Sequence, residues 1–398
     1  MNYYNDVPQD LGKFDIVVGI PSFNNAATIA YVAQIAAKGI KDLGLKGLIV
    51  NSDGGSVDGT TGAFLNSDTL GLPKVSIKYK GIPGKGSAVR AMFEIAHKVE
   101  AKVFIMLDSD LRSVEPWWIE RLTVPILEAK TDYVTPLYLR HKYDGTITNN
   151  ICYPLTSALY GLKIRQPIGG DFGVGAKLID TYLSKPASVW QTHVARFGID
   201  IWMSTIAIVE SGKPPIQAAL GTKVHDVKDP GKHLQGMFVQ VVQTLFELMV
   251  GYQDSWEDVN DVVSTQVYGE QPSQKVEEIV VDLIGLKERA KAVLKERLDS
   301  LREIKPLRGE IIESVLRTGT VDMEGWVEVV YELALRYKSE RDERIILDLL
   351  PFYFARVADF VEKTKEMNSI EAEKLIDEQL ELFLKRKKLF VRRWFLDT

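Results

Sequence analysis

The sequence predicts an α/β domain with a mixed, mainly parallel β-sheet, followed by an all-α C-terminal region. Two observations predict this class. Within residues 14–110, short β-branched runs alternate with stretches of helical spacing, which is the pattern of a parallel sheet covered by helices. Beyond residue 232, apolar residues recur at intervals of three and four along most of the chain, as they do in packed helices.

The elements of the first part follow a regular order. The first strand, FDIVVGI, ends at Pro21, and the second ends at the turn-forming sequence Asp53-Gly54-Gly55-Ser56. Because ligands of such sheets bind at the carboxyl ends of the strands, polar motifs at those ends are expected to form one site. The predicted strands cover residues 14–20, 47–51, 75–79 and 102–107, and the predicted helices cover residues 25–38 and 87–99.

The 398 residues exceed one ordinary core, so two domains are expected. We place a catalytic domain at residues 1–250, with a donor half at 14–112 and an acceptor half at 113–250, and a helical domain at 251–398. Apolar density falls near this boundary, in residues 252–275. The predicted helices of the second part cover residues 276–301, 323–337, 345–367 and 370–395.

The composition excludes several classes of protein. A net charge of −5 lacks the basic excess of a nucleic-acid binder. The single cysteine, Cys152, cannot form an intramolecular disulfide. The first 15 residues contain acids and no apolar core, unlike a signal peptide. Gln235, Gln240, Gln243 and Glu247 interrupt the most apolar stretch, 234–250, so we expect no stable membrane insertion and a soluble, cytoplasmic protein.

Three short motifs carry candidate chemistry. Asp108-Ser109-Asp110 follows an apolar strand, and its carboxylates can both reach one hard divalent cation. Asp53 and the following Asp58-Gly59-Thr60 can accept hydrogen bonds from a nucleobase. Pro83-Gly84-Lys85-Gly86 opens a helix, where glycines let the backbone approach a phosphate and Lys85 favours negative charge. On its own, each motif is also compatible with an ordinary turn.

Taken in order, these motifs resemble those of the GT-A glycosyltransferases. Residues 20–25, Ile-Pro-Ser-Phe-Asn-Asn, are similar to the I-P-x-Y-N-E opening of that family, with Phe23 in place of Tyr and Asn25 in place of an acid. Asp53 corresponds to the uracil-binding acid, and residues 108–110 resemble the D-x-D metal motif. The resemblance implies a Rossmann-like nucleotide-sugar-binding fold with donor contacts from Pro21, Ser22, Asn24, Asp53, Gly84, Lys85, Asp108 and Ser109.

Later motifs resemble the mannosylglycerate synthase and glucosyl-3-phosphoglycerate synthase families. They are Gln166–Asp171, Gly198-Ile199-Asp200 and Lys223-Val224-His225. Those enzymes are retaining transferases that join a hexose to D-glycerate or 3-phosphoglycerate and so make compatible solutes or their precursors. The resemblance covers residues 14–235. It implies a Mg2+ or Mn2+ ion held by Asp110 and His225 with Asp108 beside it, and catalytic roles for Asp171, Asp200 and Lys85.

The expected partners are a UDP- or GDP-hexose, with glucose favoured, and a glyceric-acid acceptor. A guanidinium or backbone amides fit an acceptor carboxylate, although surface arginines are often merely solvated. The acceptor candidates are Arg140, Arg165, Gly169, Gly170 and Thr148. We also expect a homodimer. For the mechanism, the resemblance implies same-face displacement, with double displacement through Asp171 or Asp200 as the other route.

Two other functions stay open. One is an inverting GT-A transferase that acts on a lipid or polysaccharide; processive members carry a Q/R-x-x-R-W motif, which Arg393 and Trp394 complete here, but Phe390 stands at its first position. The other is a sugar-nucleotide-binding scaffold without turnover. The presence of Asp108, Asp110 and His225 favours a working enzyme over the scaffold.

Overall fold

The computed structural model describes residues 3–5, 7, 11–224, 234–302 and 308–396. The chain forms two compact units that interleave along the sequence. The first unit comprises residues 1–139, 164–227 and 265–276, and the second comprises 140–163, 228–264 and 277–398. The sequence predicts one boundary at residue 250, whereas the chain passes between the units several times. Apolar density reports local composition, and a compact unit depends on contacts between distant segments.

The first unit is built on an eight-stranded sheet within the described residues. The strands along the chain are β1 (Ile16–Ser22), β2 (Gly47–Asp53), β3 (Lys74–Lys78), β4 (Val103–Met106), β5 (Tyr133–Leu139), β6 (Leu162–Lys163), β7 (Phe172–Gly175), β8 (Ile216–Thr222), β9 (Val263–Ser264) and β10 (Val267–Tyr268). The sheet order is β10-β8-β5-β7-β4-β1-β2-β3. Strand β7 runs antiparallel to both of its neighbours, and the other pairs are parallel. The predicted mixed, mainly parallel sheet is confirmed.

The helices follow the predicted alternation with the strands. They are α1 (Ile29–Asp42), α2 (Thr60–Leu65), α3 (Lys85–Lys98), α4 (Pro116–Leu127), α5 (Tyr153–Tyr160), α6 (Ala176–Leu183), α7 (Ile199–Glu210), α8 (Leu234–Gly251), α9 (Gln253–Trp256), α10 (Leu283–Glu296), α11 (Leu298–Arg302), α12 (Gly309–Thr318), α13 (Met323–Glu340), α14 (Glu343–Thr364) and α15 (Ser369–Leu396). Shorter turns are a π-helix at Thr148–Cys152 and 3-10 helices at Ala187–Gln191 and His193–Ala195.

The core of the first unit lies between the sheet and the helices α1 and α4. Residues Ile16, Val18 and Ile20 of β1 are fully buried and belong to one core cluster with Trp118 of α4. Their alternate neighbours in β1 are also fully buried. A central parallel strand is covered on both faces, which explains why β1 reads as an unbroken apolar run.

The second unit is mainly helical, as predicted for the C-terminal region, with two differences from the predicted elements. Within the region expected to be all-α, Val263–Ser264 forms the short strand β9, and the following strand β10 belongs to the first unit. The helix expected to begin at residue 276 begins at Leu283. Asp282 stops it from extending further back, because its side chain accepts a hydrogen bond from the backbone N–H of Gly285 and so caps the first turn.

Helix α8 corrects one step of the membrane argument. By length and composition, this helix is apolar enough to cross a membrane. The sequence argument had predicted that its glutamines and Glu247 make it too polar to do so. Half of its 18-residue window is buried inside the protein. The ring of Phe238 stacks on Tyr353, with centroids 4.4 Å apart, and Phe246 packs edge-on against Tyr337. These contacts make α8 a core helix of the second unit.

Candidate functional site

The predicted motifs meet at the carboxyl edge of the sheet in the first unit. Parallel pairing of β1 with β2 sets Ser22 opposite Asp53. Strand β4 is the other neighbour of β1, and Asp108 follows its last residue by two positions. Because parallel strands end at the same edge, three motifs distant in sequence become neighbours. Helices α3 and α7 add Lys85 and Asp200 from their first turns.

Five charged side chains form the centre of this site, which we name the lysine–aspartate cluster. Its members are Lys85, Asp108, Asp171, Asp200 and Lys223. The Nζ atom of Lys85 lies 3.0 Å from Oδ1 of Asp108 and 3.2 Å from Oδ2 of Asp200. The Nζ atom of Lys223 lies 2.8 Å from Oδ2 of Asp108 and 2.8 Å from Oδ2 of Asp171. Asp108 is therefore held between two ammonium groups.

The cluster is largely shielded from water. Side-chain exposure falls from 23% for Asp108 and 14% for Lys85 to 4% for Lys223 and zero for Asp171. Burial by itself raises the pKa of the Asp108 carboxyl, but Lys223 and Lys85 outweigh it and hold that pKa well below its usual range. Burial also lowers the pKa of Lys85, and Asp108 and Asp200 outweigh it and raise that pKa.

Asp200 differs from Asp108 in its pKa and in its hydrogen bonds. Burial is the largest influence on its carboxyl and raises its pKa above the ordinary value, against the opposing effect of Lys85. Its Oδ2 atom contacts Lys85, while its buried Oδ1 atom has no hydrogen-bond partner among the described residues. A buried polar atom without a partner is costly, and a catalytic role is one explanation for it.

Asp171 has a supporting position in the cluster, and the catalytic role that the resemblance implies for it stays a prediction. Its Oδ1 atom accepts a 2.7 Å hydrogen bond from the backbone N–H of Asp108. Its Oδ2 atom accepts hydrogen bonds from Lys223 and from the hydroxyl of Tyr138. With both oxygens engaged and no exposure, Asp171 orients Asp108 and Lys223.

Gly169 and Gly170 pack against the cluster itself. The carbonyl oxygen of Gly169 accepts a 2.9 Å hydrogen bond from Lys223. Gly170 has a φ of +94°, and a Cβ atom there would lie 2.2 Å from Oδ2 of Asp108. Only glycine fits this position, because the backbone conformation and the close carboxylate both exclude a side chain. The expectation that these two residues bind the acceptor stays a prediction.

The glycines at the start of α3 make room for protein backbone. The sequence predicts that they let the backbone approach a phosphate. In the structure, a Cβ atom on Gly86 would lie 1.8 Å from the carbonyl oxygen of Val194, and one on Gly84 would lie 2.6 Å from that of Ala195. The Gly86 N–H donates to the carbonyl oxygen of Arg196. The residue of this motif that faces the site is Lys85.

The donor-side residues form two loops joined by hydrogen bonds. Asp53 accepts from the backbone N–H groups of Gly55 and Ser56 at 2.8 and 2.7 Å and from the Thr61 hydroxyl at 2.6 Å. Burial raises the pKa of Asp53, and these hydrogen bonds outweigh it and lower that pKa. Asp53 therefore stabilises its own turn, and its contact with a nucleobase stays a prediction.

The first-strand motif is similarly ordered. Ser22 follows the half-buried Pro21 at the end of β1. Its hydroxyl donates a hydrogen bond to Oδ1 of Asn51 at 2.6 Å. Asn24 has a φ of +56° and accepts from the Val57 N–H at 3.1 Å. Asn25 accepts from the hydroxyl of Ser109 at 2.8 Å, which ties this loop to the segment that carries Asp108.

The predicted metal ligands are only partly described. His225 lies outside the described residues, and within those residues no group of three or more histidines, cysteines or acids could hold a metal ion. Asp110 is half-buried, two residues beyond Asp108. Because Lys85 and Lys223 occupy both oxygens of Asp108, an arriving cation would compete with two ammonium groups there. The assignment of a divalent ion to Asp110 and His225, with Asp108 beside it, stays a prediction.

The acceptor candidates fall in both units. Arg165 is half-buried in the first unit, and its backbone N–H donates to Gln217. Arg140 and Thr148 belong to the second unit, where Arg140 lies 3.7 Å from the Asp144 carboxylate and Thr148 starts the π-helical turn. The structure brings together Lys85, Asp108, Asp171 and Asp200 with the two glycines.

Lys223 is the member of the cluster to which the sequence motifs assign no role. It stands directly after β8, at the carboxyl edge where the other motifs meet. Its place directly after a strand is the one feature of the sequence that could have indicated Lys223 as a site residue. The spacing of the chain gives no indication that this lysine contacts Asp108, which lies 115 residues away.

The fold and the cluster define an α/β protein with a buried ionic site at the carboxyl edge of its sheet. The chain is similar to solved structures of glucosyl-3-phosphoglycerate synthase from Mycobacterium tuberculosis. One, in complex with Mn2+, UDP and phosphoglyceric acid, is 25% identical, with 59% of this chain and 78% of that chain covered and a TM-score of 0.48. Another, with Mg2+ and UDP, is 24% identical, with 59% and 79% covered and a TM-score of 0.47.

No family model and no curated protein matches the chain. The solved structures are of one of the two families that the sequence motifs resemble.

Proposed function

We propose that this protein is a metal-dependent GT-A glycosyltransferase that moves a hexose from a nucleoside-diphosphate donor to a glycerate-type acceptor. The observation that carries the proposal is the lysine–aspartate cluster. Five segments of the chain supply buried charges to the edge where the donor motifs meet. Buried ion pairs often cost more free energy than they return, so a function is the better explanation for retaining them.

Lys85 is suited to a diphosphate. An ammonium group has three N–H donors, and among the described residues Lys85 uses two, on Asp108 and Asp200. The third donor is available to a phosphate oxygen. A fixed positive charge at that place stabilises the charge that develops on the departing diphosphate.

Asp200 is suited to the reacting sugar. Its Oδ1 atom lacks a partner within the described residues, and it belongs to a carboxylate whose other oxygen is held by Lys85. We propose that Oδ1 faces the anomeric carbon or an acceptor hydroxyl and stabilises positive charge at the sugar. Retention by same-face displacement then needs no enzyme nucleophile, since a donor diphosphate oxygen takes the acceptor proton. A glycosyl adduct on Asp200 would indicate double displacement instead.

The divalent metal belongs to the same proposal. We assign Mg2+ or Mn2+ to Asp110 and His225, with Asp108 beside it and oriented by the two lysines. The solved structures of glucosyl-3-phosphoglycerate synthase contain Mn2+ or Mg2+ together with UDP. When bound, the ion would neutralise the diphosphate of the donor. The preference for glucose, and the choice between glycerate and 3-phosphoglycerate, rest on the resemblance and on the ligands of those structures.

A panel of donors and acceptors tests the function. The purified protein is incubated with UDP-glucose, UDP-mannose, GDP-glucose or GDP-mannose and with D-glycerate or 3-phosphoglycerate, each with Mn2+ and with excess EDTA. Products are read by mass and by anomeric NMR. We expect one α-linked glycosyl product that requires metal and is lost in Asp110→Asn. Asp15→Asn is the matched control, since Asp15 pairs with Lys102 away from the site. Metal-independent transfer, or no transfer with any pair, would refute the proposal.

The alternative of a processive transferase finds little support at the C-terminus. Trp394 is buried against Trp256 and Phe390, and Arg393 forms an ion pair with Glu332 in the second unit. Arg393 and Trp394 thus belong to the packing of the helical core.

The scaffold alternative predicts donor binding without turnover in the same panel. The expected homodimer and cytoplasmic location stay predictions, the first of which light scattering would test.

A further inference from the structure

We propose that Gln271 and Gln274 hold Lys223 in place in the lysine–aspartate cluster and are therefore positioning residues for the reaction. This inference rests on the proposed function, since it concerns the same cluster and the same transfer. The two glutamines, which we name the glutamine clamp, lie in residues 265–276. In that stretch the chain returns to the first unit between two stretches that belong to the second.

The sheet is irregular directly before Lys223. Strands β5 and β8 pair Leu137 with Ala219 and then Tyr138 with Gly221, so β8 contains one extra residue at this point. The backbone of Gly221 has a φ of +69°. A β-bulge of this kind re-aims the side chains that follow it, and the backbone N–H groups around it need other acceptors.

Side-chain amides supply those acceptors. Oε1 of Gln271 accepts a 2.9 Å hydrogen bond from the Gly221 N–H, and its Nε2 donates to the carbonyl oxygen of Leu137 at 2.6 Å. Gln271 thus joins β5 and β8 at the point where their register shifts. Oε1 of Gln274 accepts from the Thr222 N–H at 2.7 Å. The clamp therefore holds the two residues that directly precede the lysine of the cluster.

Strand β10 brings the clamp to this place. It pairs in parallel with Gln217 and Ala218 of β8, and among the described residues this pairing extends no further. Beyond it, the side chains of the clamp continue the contact with β8. A Cβ atom on Gly221 would lie 2.3 Å from Oε1 of Gln274. A glycine in the bulge thus leaves the room that the amide occupies.

Both strands send a side chain from the bulge to Asp171. The hydroxyl of Tyr138 and Nζ of Lys223 donate to Oδ2 of Asp171, and Nζ lies 5.2 Å from the centre of the Tyr138 ring. Lys223 also contacts Asp108 at 2.8 Å. Because its side chain is a flexible stem, Lys223 keeps these contacts only while its backbone stays in place. Release of the clamp would move a positive charge away from Asp108.

The test compares variants that remove a hydrogen bond of the clamp with variants that keep it. Gln274→Met has a similar length and no amide oxygen, whereas Gln274→Glu keeps an oxygen for the Thr222 N–H. Gln271→Glu keeps its acceptor and loses the donor to Leu137. Ser273→Ala is the control, because Ser273 is exposed and lies between the two glutamines. Circular dichroism confirms that each variant is folded.

Heteronuclear NMR without any ligand measures proton exchange of the Lys223 ammonium group and of the Thr222 N–H. Gln274→Met should accelerate both by about tenfold, since local opening governs the exchange of buried protons. Gln274→Glu should keep the wild-type rates, and Gln271→Glu should accelerate exchange at Lys223. In the transfer assay, Gln274→Met should lower kcat by about tenfold and leave the donor KM within about twofold, because a misplaced charge affects the transition state most.

Unchanged exchange at Lys223 in both Gln274→Met and Gln271→Glu would overturn the inference. Faster exchange with an unchanged kcat would overturn the role in the reaction, and so would a loss of kcat that Gln274→Glu shares. Equal changes in Ser273→Ala would show that the effect does not come from the clamp. A wild-type protein without transfer activity would refute the proposed function alone, since the exchange rates still decide whether the clamp holds Lys223.

Discussion

Lys223 and Asp171 form an almost completely buried ion pair, with Nζ and Oδ2 2.8 Å apart and side-chain exposures of 4% and zero. The same ammonium group contacts Asp108, and the same carboxylate accepts the backbone N–H of Asp108. Lys223 and Asp171 therefore fix Asp108 from two sides. This pair explains how a partly exposed carboxylate keeps one orientation at the edge of the sheet.

Replacing Lys223 by methionine should destabilise the protein strongly. The substitution leaves Asp108 and Asp171 buried without their shared cation, and breaking such a pair costs about 3–5 kcal/mol. Urea unfolding at pH 7 measures the loss. Lys102→Met is the control, because the Lys102–Asp15 pair is exposed and exposed pairs contribute less than about 1 kcal/mol. Equal midpoints for the two variants would contradict a stabilising role for Lys223.

A comparison of Asp110→Asn with Asp108→Asn should show which of the two carboxylates binds the metal ion directly. Mn2+ binding in the presence of UDP is measured by electron paramagnetic resonance. We expect Asp110→Asn to weaken Mn2+ binding by about tenfold or more, since it removes a direct charged oxygen ligand. Asp108→Asn should have the smaller effect, because Lys85 and Lys223 already occupy that carboxylate. The reverse order would show that the ion displaces the lysines and binds Asp108. Circular dichroism confirms that each variant is folded.

Asp200→Asn should lower kcat by about a hundredfold and leave UDP affinity nearly unchanged, because it removes a charge that acts in the transition state. The pKa of Asp200 is raised by burial. As this acid is active when ionised, kcat in the wild type should increase with pH through that raised pKa. The decrease of kcat at low pH should be absent in Asp200→Asn. A kcat–pH profile with the same limb in both proteins would assign it to another group.

The buried amine of Lys387 should cause the free energy of unfolding to increase as the pH rises above neutrality. Its side chain is buried in the second unit and donates to the carbonyl oxygens of Leu159 and Val259. Burial lowers its pKa to about 7, below the ordinary value of about 10.4. Between these values the unfolded chain binds more protons than the folded one, so the free energy of unfolding increases with pH.

Urea unfolding at pH 7, 8 and 9 measures the slope of the free energy of unfolding against pH. Lys387→Met should abolish this increase, because no titrating amine remains at this position. Lys385→Met, two residues earlier on α15 and exposed, is the control and should keep the slope. If Lys387→Met keeps it too, the pH dependence belongs to other groups.

The sequence by itself determined the elements whose patterns are local. The β-branched run of β1, the alternation of strands and helices, and the three- and four-residue spacing of α13 to α15 need only periodicity to be recognised. The carboxyl-edge rule then placed Lys85 and Asp108 near one another, because it follows from a parallel sheet. Asp200 came only from the family resemblance.

Only the tertiary structure decided which atoms meet. The role of Gly86 depends on the carbonyl oxygen of Val194, the role of Asp53 depends on donors within its own turn, and Lys223 meets Asp108 across 115 residues of chain. Local patterns carry no information on such pairs, since a contact between distant segments is set by how the elements pack. For the same reason, the interleaved units could not be found from a fall in apolar density at one place.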